Sequence, residues 1–219
     1  MEIKAIEITS PEINATRQFY HKKLGFKIHH DTSDKISFET GSSILSFIHT
    51  DQPQARYHFA FLIPGNKVSG AVGWLGNKAR LIRNPGDKLI TDFKSWNARS
   101  IYFYDNNGNI LEFIARFDLQ DTCPKSFTAS SVRCLNEVGL VTDSPLSFSE
   151  KLTHELAIDY FEKGPKKEDF VVLGDNHGLL IVSGTNRSWF PTEHKAEKYY
   201  LKAVLSVNGE QKEICLYEK

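Results

Sequence analysis

A pattern of one strand, one helix and several short strands recurs along the chain, and it limits the possible folds more than any other feature. The first copy opens with the alternating segment IKAIEIT and continues into a helix that Ser10 and Pro11 can start and Gly25 can end. The second copy opens with YHFAFLI and the third with LNEVGLVT. Short apolar runs and turns rich in Asp, Asn and Gly follow each predicted helix. Each copy therefore predicts a βαβββ unit.

These units predict an α+β fold whose last unit is reduced to strands. After the third unit, the segments YYLKAVLSVNG and KEICLYEK have strand character, and they leave no room for a helix. A single βαβββ unit leaves one face of its sheet uncovered, so we expect the units to pair. We predict a first domain, paired internally, at residues 1–120, a linker at 121–131 and a second, less regular domain at 132–219.

Charge and composition give no indication of a nucleic-acid or membrane partner. Lys and Arg together number 27, as do Asp and Glu, so the formal net charge is zero. No apolar run approaches the roughly 20 residues of a membrane helix, and the N-terminus lacks the apolar core of a signal peptide. Three cysteines without CxxC spacing predict reduced thiols rather than a disulfide framework or a zinc site. We therefore expect a cytoplasmic protein.

Two polar side chains interrupt strands that are otherwise apolar in their central stretches on both faces. In NILEFIARF the exception is Glu112, and in YHFAFLI it is His58. An unpaired carboxylate buried in such a strand would cost several kcal/mol, and a metal ion or a charged partner would remove that cost. The pair therefore marks the candidate site. Its alternatives are a hydrogen-bonded structural pair or a pair that binds substrate without metal.

Three segments resemble the vicinal oxygen chelate superfamily, which includes glyoxalase I, fosfomycin-resistance proteins, extradiol dioxygenases and bleomycin-resistance proteins. They are TRQFYHKKLGF in the first helix, YHFAF in the second opening strand, and IYFYDNNGNILEF in the last strands of the second unit. The resemblance covers residues 1–118 well and 132–192 more loosely. It implies that paired units curl into a cup whose first and last strands hold a divalent metal ion.

The resemblance places His58 and Glu112 at metal-ligand positions, and we predict them as the catalytic residues. Imidazole and carboxylate together suit Fe(II), Mn(II), Zn(II) or Ni(II). The first unit departs from the family pattern because Ala5 and Ser46 occupy its two ligand positions. Glu7 shares a face with Ala5 in the predicted strand, so we predict Glu7 as a further metal ligand.

The second half departs further from the family pattern. Glu137 stands at the ligand position of the first strand, but Ile181 stands at that of the last strand. In the reduced fourth unit, Tyr200 or Leu201 falls at the position that corresponds to His58. We therefore expect no metal-binding cup in this half, which would serve packing, dimerisation or closure over the first cup.

Three functions remain open from the sequence. The first is a metal-assisted lyase, isomerase, transferase or ring-cleaving dioxygenase that acts on a small oxygen-chelating substrate. The second is a metal-free protein of the bleomycin-resistance type, which sequesters a small molecule in an aromatic cup. The third is a degenerate relative whose cups only assemble subunits. The exposed sheet edges of the shortened last unit make a homodimer a further prediction.

Overall fold

The fold is a mixed β-sheet with few helices, so the predicted α+β class is confirmed. The computed structural model describes residues 1–53 and 55–217. Within this part of the chain, one open, curled sheet has 14 strands. They are β1 (Glu2–Ser10), β2 (Lys27–Asp31), β3 (Lys35–Thr40), β4 (Ser43–His49), β5 (His58–Leu62), β6 (Arg80–Ile82), β7 (Thr91–Phe93), β8 (Ala98–Tyr104), β9 (Ile110–Arg116), β10 (Cys134–Thr142), β11 (Phe170–Asp175), β12 (Gly178–Gly184), β13 (Leu201–Val207) and β14 (Glu210–Leu216).

Three helices follow the first strands of the three predicted units. Helix α1 (Ile13–Arg17) continues as a π-helix (Gln18–Lys23), and Gly25 follows it with a φ of 79°. Helix α2 spans Val68–Leu75, and α3 spans Pro145–Leu156. Their apolar faces join the strands in the main hydrophobic core. No helix among the described residues is long and apolar enough to cross a membrane.

The first strands of the second and third units, β5 and β10, pair with each other across the chain. Strand β5 lies between β9, which runs parallel to it, and β10, which runs antiparallel. Strand β1 pairs instead with β4 and β13, and it meets β10 at one residue pair. Both strands therefore have a neighbour on each edge, but β5 is buried throughout, whereas β1 alternates buried with more exposed residues. The division into domains stays a prediction.

A buried turn between β8 and β9 holds β5 in place beside β9. The carboxylate of Asp105 accepts hydrogen bonds from the hydroxyl of Tyr20 at 2.7 Å and from the backbone N–H of Asn107 and Asn109 at 2.8 and 2.9 Å. The side-chain oxygen of Asn109 then accepts the backbone N–H of Tyr57 at 2.9 Å. This network fixes the start of β5, where the next residue is His58.

Candidate metal centre

Three buried side chains from adjacent strands converge on one face of the sheet. Ala60 of β5 lies opposite Glu112 of β9 on one side and opposite Glu137 of β10 on the other. Residues opposite one another in neighbouring strands point to the same face, and His58 shares that face because it lies two residues from Ala60. The small side chain of Ala60 therefore leaves the space between the two carboxylates open.

The ligand atoms of these three side chains lie within 4.8 Å of one another. The His58 Nε2 atom is 3.7 Å from Glu112 Oε2 and 4.0 Å from Glu137 Oε2. The other ring nitrogen, Nδ1, lies 3.0 Å from the carbonyl oxygen of Ile110. Nδ1 therefore carries the proton and donates a hydrogen bond to that oxygen. The lone pair of Nε2 is then free and faces the carboxylates. This tautomer is the one in which a histidine held by a backbone carbonyl binds a metal.

Burial keeps the imidazole neutral and weakens the acidity of the carboxyl groups. It lowers the pKa of His58 to about 4. Burial, and then the charge of Glu137, raise the pKa of Glu112 to about 8. Burial also raises the pKa of Glu137, although Arg116 opposes that shift. Without a cation, Glu112 is therefore mostly protonated at neutral pH, and a divalent cation would reverse this by favouring the carboxylate.

Arg116 is the one permanent cation that contacts the cluster among the described residues. Its side chain has 0% exposure, and its Nη2 atom donates to Oε1 of Glu137. Its Nε atom donates to the side-chain oxygen of Asn136 at 2.7 Å. The pair leaves the second oxygen of Glu137 directed towards His58. One cation thus faces two carboxylates, and a negative charge remains uncompensated when both are ionised.

Glu7, the third ligand that we predicted, lies outside this cluster. Its carboxylate accepts hydrogen bonds from Lys35 Nζ at 2.6 Å and from the hydroxyl of Tyr200 at 2.7 Å. Partial burial acts to raise the pKa of Glu7, but these bonds lower it overall. Glu7 lies beside Ser46 in the sheet, and Ser46 is hydrogen-bonded to Ser37 at 2.8 Å. A lysine therefore satisfies this carboxylate, and the structure does not bring it to His58 and Glu112.

Glu137 completes the cluster, although we had expected no metal-binding cup within residues 132–219. Its family position was visible in the sequence, but its partner strand was not. The register of β10 against β5 shifts between Leu135 and Glu137, which marks a β-bulge at Asn136. The bulge turns Glu137 to the face of Ala60, while Leu135 lies opposite Phe61. Ile181, at the fourth family position, lines the same cavity and supplies no ligand atom.

The cluster lies at an aromatic cavity of about 250 Å³. Trp189 covers the imidazole, with ring centroids 5.2 Å apart, and its buried indole N–H has no acceptor among the described residues. Arg187 lies over the ring of Phe170, with its guanidinium carbon 4.1 Å from the ring centroid. The aromatic residues that line the cavity are Phe93, Trp96, Tyr102, Phe170, Trp189 and Phe190.

The donor set fits a divalent metal ion. A four- to six-coordinate ion with bonds of about 2.0–2.2 Å holds neighbouring ligand atoms about 3 Å apart. The observed separations of 3.7 and 4.0 Å reach that value through side-chain shifts of about an ångström. One neutral imidazole nitrogen and two carboxylates would hold the ion, and the open side of the cavity would leave positions for substrate oxygens.

Comparisons with known proteins agree with the sequence and the fold. The family model of the Glyoxalase/Bleomycin resistance protein/Dioxygenase superfamily matches residues 2–113. Among curated protein sequences, none is significantly similar to this one. A candidate dioxygenase from Bacillus subtilis subsp. subtilis str. 168 has a TM-score of 0.65 at 14% identity, over 98% of this chain and 84% of that chain. At this identity, the likeness concerns the fold alone.

Smaller solved structures resemble about half of the chain. Fosfomycin resistance protein FosX from Listeria monocytogenes, crystallised with Mn(II) and sulfate, has a TM-score of 0.42 at 18% identity, over 53% of this chain and 94% of that chain. Lactoylglutathione lyase from Agrobacterium tumefaciens has a TM-score of 0.43 at 15% identity, over 52% of this chain and 92% of that chain.

Proposed function

We propose, from the premise that this chain belongs to the Glyoxalase/Bleomycin resistance protein/Dioxygenase superfamily, that it is a metal-assisted enzyme acting on a small oxygen-chelating substrate. The observation that carries the proposal is the convergence of His58 Nε2 and the carboxylates of Glu112 and Glu137 within 4.8 Å at an aromatic cavity. The reaction would be that of a lyase, an isomerase, a transferase or a dioxygenase.

His58, Glu112 and Glu137 would hold the ion, and the first two are the catalytic pair predicted from the sequence. The bound metal would act as a Lewis acid that polarises the oxygens of the substrate. Nitrogen and oxygen ligands of this kind suit Fe(II), Mn(II), Zn(II) and Ni(II). Arg116 would hold one oxygen of Glu137, so that the other oxygen is directed to the ion.

The walls of the cavity indicate the shape of the substrate. Aromatic side chains exclude water and offer flat apolar surfaces, which suits a small molecule with an apolar body. The unpartnered indole N–H of Trp189 would donate a hydrogen bond to a polar atom of that molecule. Two neighbouring oxygens at one end of the substrate would then reach the metal.

Metal stoichiometry tests this proposal directly. Chelator-treated protein is titrated with Mn(II), Ni(II), Zn(II) and Fe(II), the last without oxygen, and bound metal is measured after gel filtration. We expect one ion per wild-type chain, and we expect His58→Ala and Glu112→Gln to lose it. Glu7→Gln is the matched control, because its carboxylate is bonded to Lys35 and Tyr200, and it should keep the ion. Equal metal content in wild type and His58→Ala would refute the proposal.

One observation favours a second candidate, a metal-free protein that binds a small molecule. The pKa of Glu112 is about 8 and Arg116 pairs with Glu137, so the cluster is nearly neutral at pH 7 without any ion. A library of small aromatic ligands, screened by thermal shift in the presence of chelator, tests this candidate. Stabilisation by a ligand under these conditions would support it. Stabilisation by metals alone would exclude it.

A further inference from the structure

A second and larger cavity, of about 910 Å³, shares no lining residue with the candidate metal centre. The first helix and its π-helical continuation border it on one side, and the turn at 105–108 borders it on another. Arg56 before β5, residues 78–80 at the start of β6, Tyr104 at the end of β8 and His194 also line it. We call this cavity the basic groove, after the five basic side chains in its lining, which are Lys23, Arg56, Lys78, Arg80 and His194.

Within the described part of the chain, the lysines and arginines of the basic groove have no carboxylate partner. The one acidic residue in the lining is Asp105, and its carboxylate accepts the hydroxyl of Tyr20 and the side-chain amide of Asn109. Although the chain as a whole has no net charge, this local excess of positive charge would attract anions to the groove.

The cationic side chains of the groove contact a histidine nitrogen, an aromatic ring and a backbone carbonyl, and none of these contacts is with a carboxylate. Arg56 Nη1 lies 3.2 Å from His194 Nδ1 and donates to it, so Nδ1 is the unprotonated ring nitrogen and Nε2–H remains a donor. The guanidinium of Arg80 lies over the ring of Tyr104, with its carbon 5.1 Å from the centroid. Lys78 Nζ donates to the backbone carbonyl of Lys23 at 2.6 Å, which brings two lysines to the same edge.

We propose that the basic groove binds a small phosphorylated anion. Guanidinium groups match phosphate oxygens with paired donors, and lysines add point charges around the same group. The volume of the groove lies within the range of small-molecule sites and accommodates a ligand of nucleotide size. The cations line one concavity and do not form a stripe across a face, which favours a small ligand over a nucleic acid.

Titration calorimetry with sodium tripolyphosphate, at constant ionic strength and on chelator-treated protein, tests this site independently of the metal centre. We expect the double variant Arg56→Ala/Arg80→Ala to lose about 10- to 100-fold in affinity, since each substitution removes a charged donor. The matched control, Lys94→Ala/Lys125→Ala, removes two exposed positive charges outside the groove and should bind as wild type does. Arg56→Lys should retain part of the affinity.

Two further probes identify the source of the phosphate. Equal affinity for pyrophosphate and ADP would mean that the groove recognises the phosphates alone, whereas tighter binding of ADP would add a ring contact such as that with Tyr104. Both results support the proposal. Equal tripolyphosphate binding by the groove variant and the control variant would overturn it. So would binding of a single-stranded oligonucleotide with none of tripolyphosphate.

Discussion

Replacing Glu112 by glutamine should change how the stability of the metal-free protein depends on pH. Burial raises the pKa of this carboxyl from 4.5 to about 8. A raised pKa means that the folded chain holds the proton more tightly than the unfolded chain does. The stability that Glu112 contributes is therefore complete below pH 4.5 and is lost as the pH rises towards 8.

His58 acts in the opposite direction at lower pH. Burial lowers its pKa from 6.5 to about 4, so its contribution is complete above pH 6.5 and is lost as the pH falls towards 4. The two effects oppose each other between pH 4.5 and 6.5, and of these two groups only Glu112 acts between pH 6.5 and 8. At roughly 1.4 kcal/mol per pH unit, the free energy of unfolding should fall by about 2 kcal/mol across that upper window.

Urea unfolding at half-unit steps from pH 6.5 to 8, with chelator present, measures this fall. We expect the unfolding midpoint of wild type to decrease with pH, and that of Glu112→Gln to decrease less because the amide does not titrate. Glu7→Gln is the control and should follow wild type, since the pKa of Glu7 is lowered, not raised. Parallel profiles for wild type and Glu112→Gln would refute the assignment of a buried, protonated carboxyl at this position.

Three further predictions concern the same cluster. Binding of Mn(II) at pH 7 should release close to one proton, because Glu112 must ionise, and calorimetry in two buffers of different ionisation enthalpy would measure it. Ala60→Leu should abolish metal binding by filling the space between the carboxylates, with a retained far-UV circular dichroism spectrum as the check on folding. Arg116→Met should destabilise the metal-free protein by about 3–5 kcal/mol by leaving Glu137 unpaired, and added Mn(II) should restore part of that loss in thermal unfolding.

The sequence predicts one pair of the cluster because that pair belongs to a single repeated unit. Strands β5 and β9 open and close the second unit, and their alternation places His58 and Glu112 without knowledge of the other units. The aromatic motif before Glu112 adds the family resemblance. Strand alternation and membership of one unit are therefore sufficient to predict the placement of His58 and Glu112.

The remaining ligand depends on contacts that no local pattern encodes. Strict alternation in LNEVGLVT would put Leu135 and Glu137 on the same face, but the bulge at Asn136 separates them. The pairing of β10 with β5 also joins segments about 75 residues apart in the sequence, and the sequence alone does not show which first strands pair. Glu7 lies apart from the cluster for a related reason, because Lys35 on β3 and Tyr200 reach its carboxylate only in the folded chain.

The distribution of ligand-type side chains parallels this pairing. Strand β1 carries Ala5 and pairs with β13 of the shortened tail, and no cluster of metal-ligand side chains lies on that side within residues 1–53 and 55–217. Strand β5 pairs with β10, and each strand brings a ligand-type side chain to the shared face. A metal ion at this point would bridge β5, β9 and β10, and it would therefore stabilise the contact between residues on both sides of the predicted linker. Since an ion that binds only the folded chain adds stability in proportion to the logarithm of its concentration, the midpoint of thermal unfolding should rise with Mn(II) in wild type and stay constant in Glu137→Gln.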